Sequence, residues 1–85
     1  MPIVQGTVDR IFVNPLFCCV TVRTGPTQQK VMLLWSYLAQ EDNASNRLLH
    51  GGYLSLVREA LIQAGRVELS HTTGSALVDS VALIR

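Results

Sequence analysis

Apolar residues recur along this chain at two spacings, and the change from one to the other marks out its elements. Leu49, Tyr53, Leu56, Val57, Ala60, Leu61 and Ala64 fall three, four or seven positions apart, which places them on one stripe of a 3.6-residue helix. Arg58, Glu59 and Gln63 point elsewhere. Gly65 follows the last periodic residue, where a left-handed cap favours a residue without a Cβ. Asn43, Ser45 and Asn46 are the candidate N-caps. The helix is predicted over residues 44–64, with continuation or a kink at Gly51-Gly52, since glycine weakens a helix interior. Leu54 lies at the flank of the stripe and Ile62 almost opposite its centre. Either these two face a second protein layer, or they are ordinary exposed apolar residues.

The other apolar runs read as strands. Ile3 to Val13 is β-rich, but its alternation slips at Asp9-Arg10, the signature of a bulge, and Gly6 suggests a sharp bend. Asn14-Pro15 supplies a turn. Leu16, Cys18, Val20 and Val22 then alternate with Phe17, Cys19, Thr21 and Arg23, and the first set is expected to face the core. Gly25-Pro26 turns the chain into Gln28–Trp35, where Val31, Leu33 and Trp35 share one face and Lys30, Met32 and Leu34 the other. Residues 36–46 are polar and read as a loop. Arg66 to His71 alternates strictly, Thr72 to Ser75 is a hairpin turn, and Ala76 to Ile84 is the last strand.

The order β-β-β-α-β-β, a bent first strand and a length of 85 residues resemble the OB-fold, a small five-stranded Greek-key barrel. The resemblance spans the single domain, residues 1–85, and rests on element order alone. It implies a mainly β chain with one helix, in which the stripe from Leu49 to Ala64 plugs the barrel. The alternatives are an open α+β sheet or a barrel of another topology with the helix docked on one face. A ferredoxin-like fold needs a second helix.

Composition points towards assembly. Hydrophobic residues make up 48% of the chain and charged residues 15%, against a usual charged fraction of about 25%. In so small a domain that surplus is most simply buried between subunits, so a homo-oligomer is expected. The net charge of +1 gives no strong field towards nucleic acid or an anionic membrane. No apolar run approaches the ~20 residues of a spanning helix, and the first ten residues lack the form of a signal peptide. The chain as it stands is therefore expected to be cytoplasmic and not membrane-bound. Removal of a leader would weaken that expectation, because absence of disulfides does not exclude the periplasm.

The chemistry-bearing residues are Cys18, Cys19, His50, His71 and Asp79, and no pair has the spacing of a catalytic or metal motif. No enzyme activity, metal or cofactor is expected. Adjacent strand residues face opposite ways, so Cys18 and Cys19 are poorly placed for a disulfide. Cys18 belongs in the core and Cys19 at a half-exposed or interface position. His71 continues the inward set of its strand and reads as a hydrogen-bonded rim residue. Asp79 reads as solvent-facing or as an arginine's partner.

Two functions follow. The first is a non-enzymatic small-barrel binding or assembly module that self-associates, with Leu54, Ile62 and Cys19 as interface candidates. The second is a single-stranded nucleic-acid binder. OB-folds often bind single strands on the face of strands 2 and 3 by stacking within a basic groove. Phe17, Arg23, Lys30 and Trp35 are the candidates here, with Arg10 and Arg47 nearby in some arrangements. An oligosaccharide or other small ligand is a third class of partner for such a face.

Overall fold

The computed structural model describes residues 2–84, as five strands and one helix. The strands are β1 (Ile3–Val13), β2 (Phe17–Gly25), β3 (Gln28–Ser36), β4 (Arg66–His71) and β5 (Val78–Ile84), and the helix α1 (Ala44–Gln63) lies between β3 and β4. All strand pairings are antiparallel, in the order β3-β2-β1-β4-β5.

β1 is shared between two partners. Ile3 to Thr7 pairs with β4 and Thr7 to Val13 with β2, so Thr7 faces Arg66 on one side and Arg23 on the other. Gly6 sits at this crossover because the β2 backbone comes too close for a side chain: a Cβ there would stand 2.0 Å from the Arg23 carbonyl oxygen. The bulge expected at Asp9-Arg10 is present, and Asp9 is its extra residue.

The expected barrel is not closed. Its outer strands meet at one parallel bridge, Leu33 to Leu77, where the Leu33 N–H donates to the Ala76 carbonyl at 2.8 Å. Beyond that bridge β5 pairs with β4 alone among the described residues. Its strand accordingly begins at Val78, two residues later than the alternation suggested.

The core is built from the inward alternation of β1 (Val4, Val8), β2 (Cys18, Val20, Val22) and β4 (Val67, Leu69), closed by Met32, Leu34, Tyr53, Val57, Ala60 and Val78. Leu16, expected among the inward set, is 50% exposed. It precedes β2, in a turn where Asn14 Oδ1 accepts from the Leu16 and Phe17 amides. Trp35 departs from its predicted face, because a bulge after Leu33 leaves Leu34 unpaired and turns both Leu34 and Trp35 inward.

Asn43 caps α1, its side chain accepting from the Asn46 amide at 2.8 Å. The helix runs through Gly51 and Gly52 without a break. Its buried stripe is His50, Tyr53, Val57 and Ala60, with Leu54 packed beside it. The stripe is rotated from the predicted one, leaving Leu49 and Leu56 exposed. Leu54 is partly buried against the core, whereas Ile62 is 70% exposed. The left-handed residue that ends the helix is Ala64 (φ 54, ψ 32), one position before the expected Gly65. No helix among the described residues is long and apolar enough to cross a membrane.

These positions give opposite glycine and alanine effects. Gly6→Ala is expected to cost about 3 kcal/mol through backbone overlap. Nothing lies within 4 Å of a Cβ at Gly52, so Gly52→Ala is expected to gain about 0.5–1 kcal/mol. Ala64→Gly relieves the left-handed strain and should gain about 0.5–1 kcal/mol. Urea midpoints at constant m-value check all three.

Candidate functional site

The outer face of β1, β2 and β3 carries the residues that alternation turns away from the core. Register aligns them in rows: Phe12 with Cys19 and Leu33, Arg10 with Thr21 and Val31, and Thr7 with Arg23 and Gln29. Arg10, Phe12, Phe17, Cys19, Thr21 and Val31 line a shallow groove of about 330 Å³. That is the low end of small-molecule pockets, which run ~300–1,000 Å³, so the groove suits one ring or side chain better than an enclosed ligand.

The groove is apolar with one cation at its side. The Phe12 and Phe17 rings lie 5.9 Å apart, tilted by 35°. The Arg10 guanidinium stands 5.9 Å from the Phe12 centroid, within cation–π range. Val31 is 58% exposed, and Phe12 and Leu16 continue the apolar surface towards the β1–β2 turn, whereas Val13, paired with the buried Cys18, points to the other side of the sheet. The Tyr37 amide donates to the Leu16 carbonyl at 2.8 Å and holds this turn to the one that carries the exposed Leu38.

Arg23 lies at the far end of this face. Its Nη2 is 3.0 Å from Asp9 Oδ2, and Gln29 Nε2 donates to the same oxygen at 2.7 Å. The Gln29 hydrogen bond, then the Arg23 interaction, holds the Asp9 carboxyl below its ordinary pKa. Lys30 is exposed near the β2–β3 turn, beside the seam between β3 and β5. Arg47 is remote from this face and pairs with Asp42 at 2.6 Å.

Of the sequence candidates, the structure brings Phe17 and Cys19 into the groove and leaves Trp35 out. Trp35 is 8% exposed and stacks on His50, with ring centroids 5.3 Å apart and planes 9° from parallel. His50 Nδ1 is 3.2 Å from the Tyr37 hydroxyl, and its ring also packs against Tyr53, whose hydroxyl donates to the Asp79 carbonyl at 2.6 Å. Sequence reasoning placed Arg10 near this face only in some arrangements and missed Phe12 as a groove residue. The bulge at Asp9 was the available signal, since one extra residue puts Arg10 and Phe12 on the outer face beyond it.

The thiols and histidines occupy separate places. Burial, and then the neighbouring Cys19, pushes the Cys18 thiol up to about 12, which leaves it protonated and inert at neutral pH. Cys19 is half-buried among Phe12, Phe17 and Val31. His71 is buried at the end of β4, its Nδ1 3.0 Å from the Thr72 carbonyl. The exposed Asp79 carboxylate accepts from Thr72 Oγ1 at 3.2 Å. Among the described residues, no group of three or more His, Cys, Asp or Glu side chains could hold a metal ion. No protein-family model, curated protein or solved structure matches the chain.

His50 gives the fold an acid limit. Burial lowers its pKa below the ordinary 6.5, so below pH 6.5 the unfolded chain binds more protons than the native one. Its contribution to stability is full above that pH and is lost as the pH falls towards the depressed native value. His50→Phe should flatten the acid-side slope of unfolding free energy from pH 6.5 down towards the carboxylate range. Urea titrations across that range measure the slope, and Asp9 and Asp42, both lowered from 3.8, act below it.

Proposed function

We propose that the protein is a non-enzymatic, OB-like module that self-associates through the outer face of β1, β2 and β3. The observation that carries this reading is the gathering of Phe12, Phe17 and Val31 on that face, with the exposed Leu16 and Leu38 in the turns beside it and Arg10 the one charged group lining the groove. Large apolar side chains grouped in this way mark interaction surfaces. The occupant is a second copy of the chain, in keeping with a sequence that is 48% hydrophobic and 15% charged. A standard interface covers ~800 Å² per partner, about 15% of the 5303 Å² surface. That is more than the groove alone offers, so the contact takes in the turns carrying Leu16 and Leu38.

Two features support OB-like topology. The strand order is β3-β2-β1-β4-β5, and the first and last strands of that order meet in parallel at Leu33 and Leu77. The open seam departs from a closed barrel. A non-enzymatic role is supported by the inert Cys18 and by a groove around Cys19 that no histidine lines.

A second reading has its own observation. Arg10 over Phe12, with Phe17 beside it, offers a two-ring platform and a cation for single-stranded nucleic acid, where stacking contributes about 1–3 kcal/mol per base. An oligosaccharide could stack on the same rings.

Sedimentation velocity with wild type and Val31→Glu decides the first reading. Wild type should sediment as an oligomer at about 100 µM, an affinity well within reach of a standard interface, and Val31→Glu should sediment as a monomer with the wild-type circular dichroism spectrum. A monomeric wild type would overturn it. Anisotropy of a labelled oligothymidylate at low salt tests the second reading. A salt-sensitive rise that Phe12→Leu and Arg10→Gln both reduce supports it, and no rise overturns it.

A further inference from the structure

The crossover on β1 places two arginines across one threonine. Thr7 is the register partner of Arg23 on β2 and of Arg66 on β4, and directly paired residues of neighbouring strands point to the same face. Arg23, Thr7 and Arg66 therefore form one row over three strands, their outer Cα atoms about 10 Å apart at the usual strand spacing. The surface around the row is concave. Gly6, Thr7, Arg23, Thr24, Gly25, Pro26 and Arg66 line a solvent-open cavity of about 340 Å³.

The charges in this row are not balanced by direct partners among the described residues. Like charges held close on a sheet face repel, and Arg66 has no ion-pair partner among the described residues. Arg23 is braced from one side only: its Nε and Nη2 face Asp9 at 3.4 and 3.0 Å, and Nη1 has no partner among the described residues. The hydrogen bonds that hold Asp9 keep it an anion. Two guanidinium groups and one carboxylate leave a net charge of +1 at the row. Glu68, next along the outer face of β4, keeps its own charge outside the row and accepts a hydrogen bond from Gln5 Nε2 at 3.2 Å. Two hydroxyls, from Thr7 and Thr24, add neutral donors to the cavity wall. Gly6 cannot be filled from below, because a Cβ there would strike the Arg23 carbonyl.

We propose that Arg23, Thr7 and Arg66 form a binding site for a phosphate group. Guanidinium groups present forked donors that match phosphate oxygens. One phosphate between the two arginines removes their mutual repulsion and takes the free Nη1 of Arg23 and the whole fork of Arg66. The cavity also holds a second phosphate, so pyrophosphate is expected to bind more tightly than orthophosphate. The site is separate from the Phe12–Phe17 groove and does not depend on self-association. Its phosphate comes either from a free anion or from the backbone of a single-stranded nucleic acid.

Nuclear magnetic resonance titration of the full chain at fixed ionic strength tests the site, reading backbone amides and arginine Nε–Hε signals. Orthophosphate and pyrophosphate should give saturable shifts at Thr7, Thr24, Gly25 and Arg66. Arg66→Gln should weaken binding by about tenfold or more, through loss of a charge-assisted fork, and Arg66→Lys should weaken it less. Arg58→Gln, on the exposed side of α1, should leave it unchanged, and every variant should keep the dispersed wild-type spectrum. An oligothymidylate that displaces pyrophosphate from these residues identifies a nucleic-acid backbone as the source, and one that does not identifies a free anion. Linear, non-saturating shifts, or an affinity unchanged in Arg66→Gln, would overturn the proposal.

Discussion

The close approach of two backbones at Gly6 is the constraint on which the rest of the sheet depends. An ordinary strand offers one edge to each neighbour along its whole length, whereas β1 gives its first half to β4 and its second half to β2. That exchange needs a bend, and at the bend the Arg23 carbonyl occupies the space a Cβ would take. The bulge at Asp9, three residues later, adds twist in the same region. Together they turn a flat meander into a coiled sheet whose ends reach each other at Leu33 and Leu77. The same bend brings β2 and β4 to opposite sides of Thr7, so the geometry that shapes the core also sets the spacing of Arg23 and Arg66.

The helix completes the core through a polar residue. His50 lies between Trp35 and Tyr53 and bonds to Tyr37, which turns the bulged end of β3 into a surface the helix can cover. An imidazole there is buried but satisfied, the condition under which burial of a polar group is tolerated. The arrangement explains why the bulge at Leu34 and the rotation of the helix occur together. Trp35 turns inward, and the helix presents His50 instead of Leu49 to meet it.

Element order was legible because periodicity changes sharply at Asn43 and Gly65, and the β1 bulge was legible because two charged residues interrupt an apolar alternation. The bulge on β3 was not. Val31 to Trp35 is apolar at almost every position, so no polar residue marks where alternation slips, and Trp35 was placed on the outside. The helix stripe was misread for a related reason: Leu49 and His50 are neighbours, hydropathy favours the leucine, and only the tertiary stack on Trp35 selects the histidine. At the helix end Gly65 drew the left-handed position to itself, while the chain uses Ala64. Within the candidate groove, Phe17 and Cys19 followed from simple alternation. Arg10 and Phe12 required the bulge to be carried through the strand, and the Arg23–Thr7–Arg66 row required pairing between segments about 60 residues apart, which no local pattern encodes.

The divided pairing of β1 also orders the events of folding. β1, β2 and β3 are consecutive, joined by short turns, and can zip together through local loops of low closure entropy. The stretch from Ile3 to Gly6, however, meets no strand until the chain beyond Gly65 is available. A nascent chain emerging from a ribosome would therefore hold a finished three-stranded meander with a dangling first half of β1, its apolar Val4 waiting through the whole synthesis of the helix. The last strands convert that unpaired stretch into the centre of the sheet, so the first-made half-strand of the domain is among the last parts to be fixed.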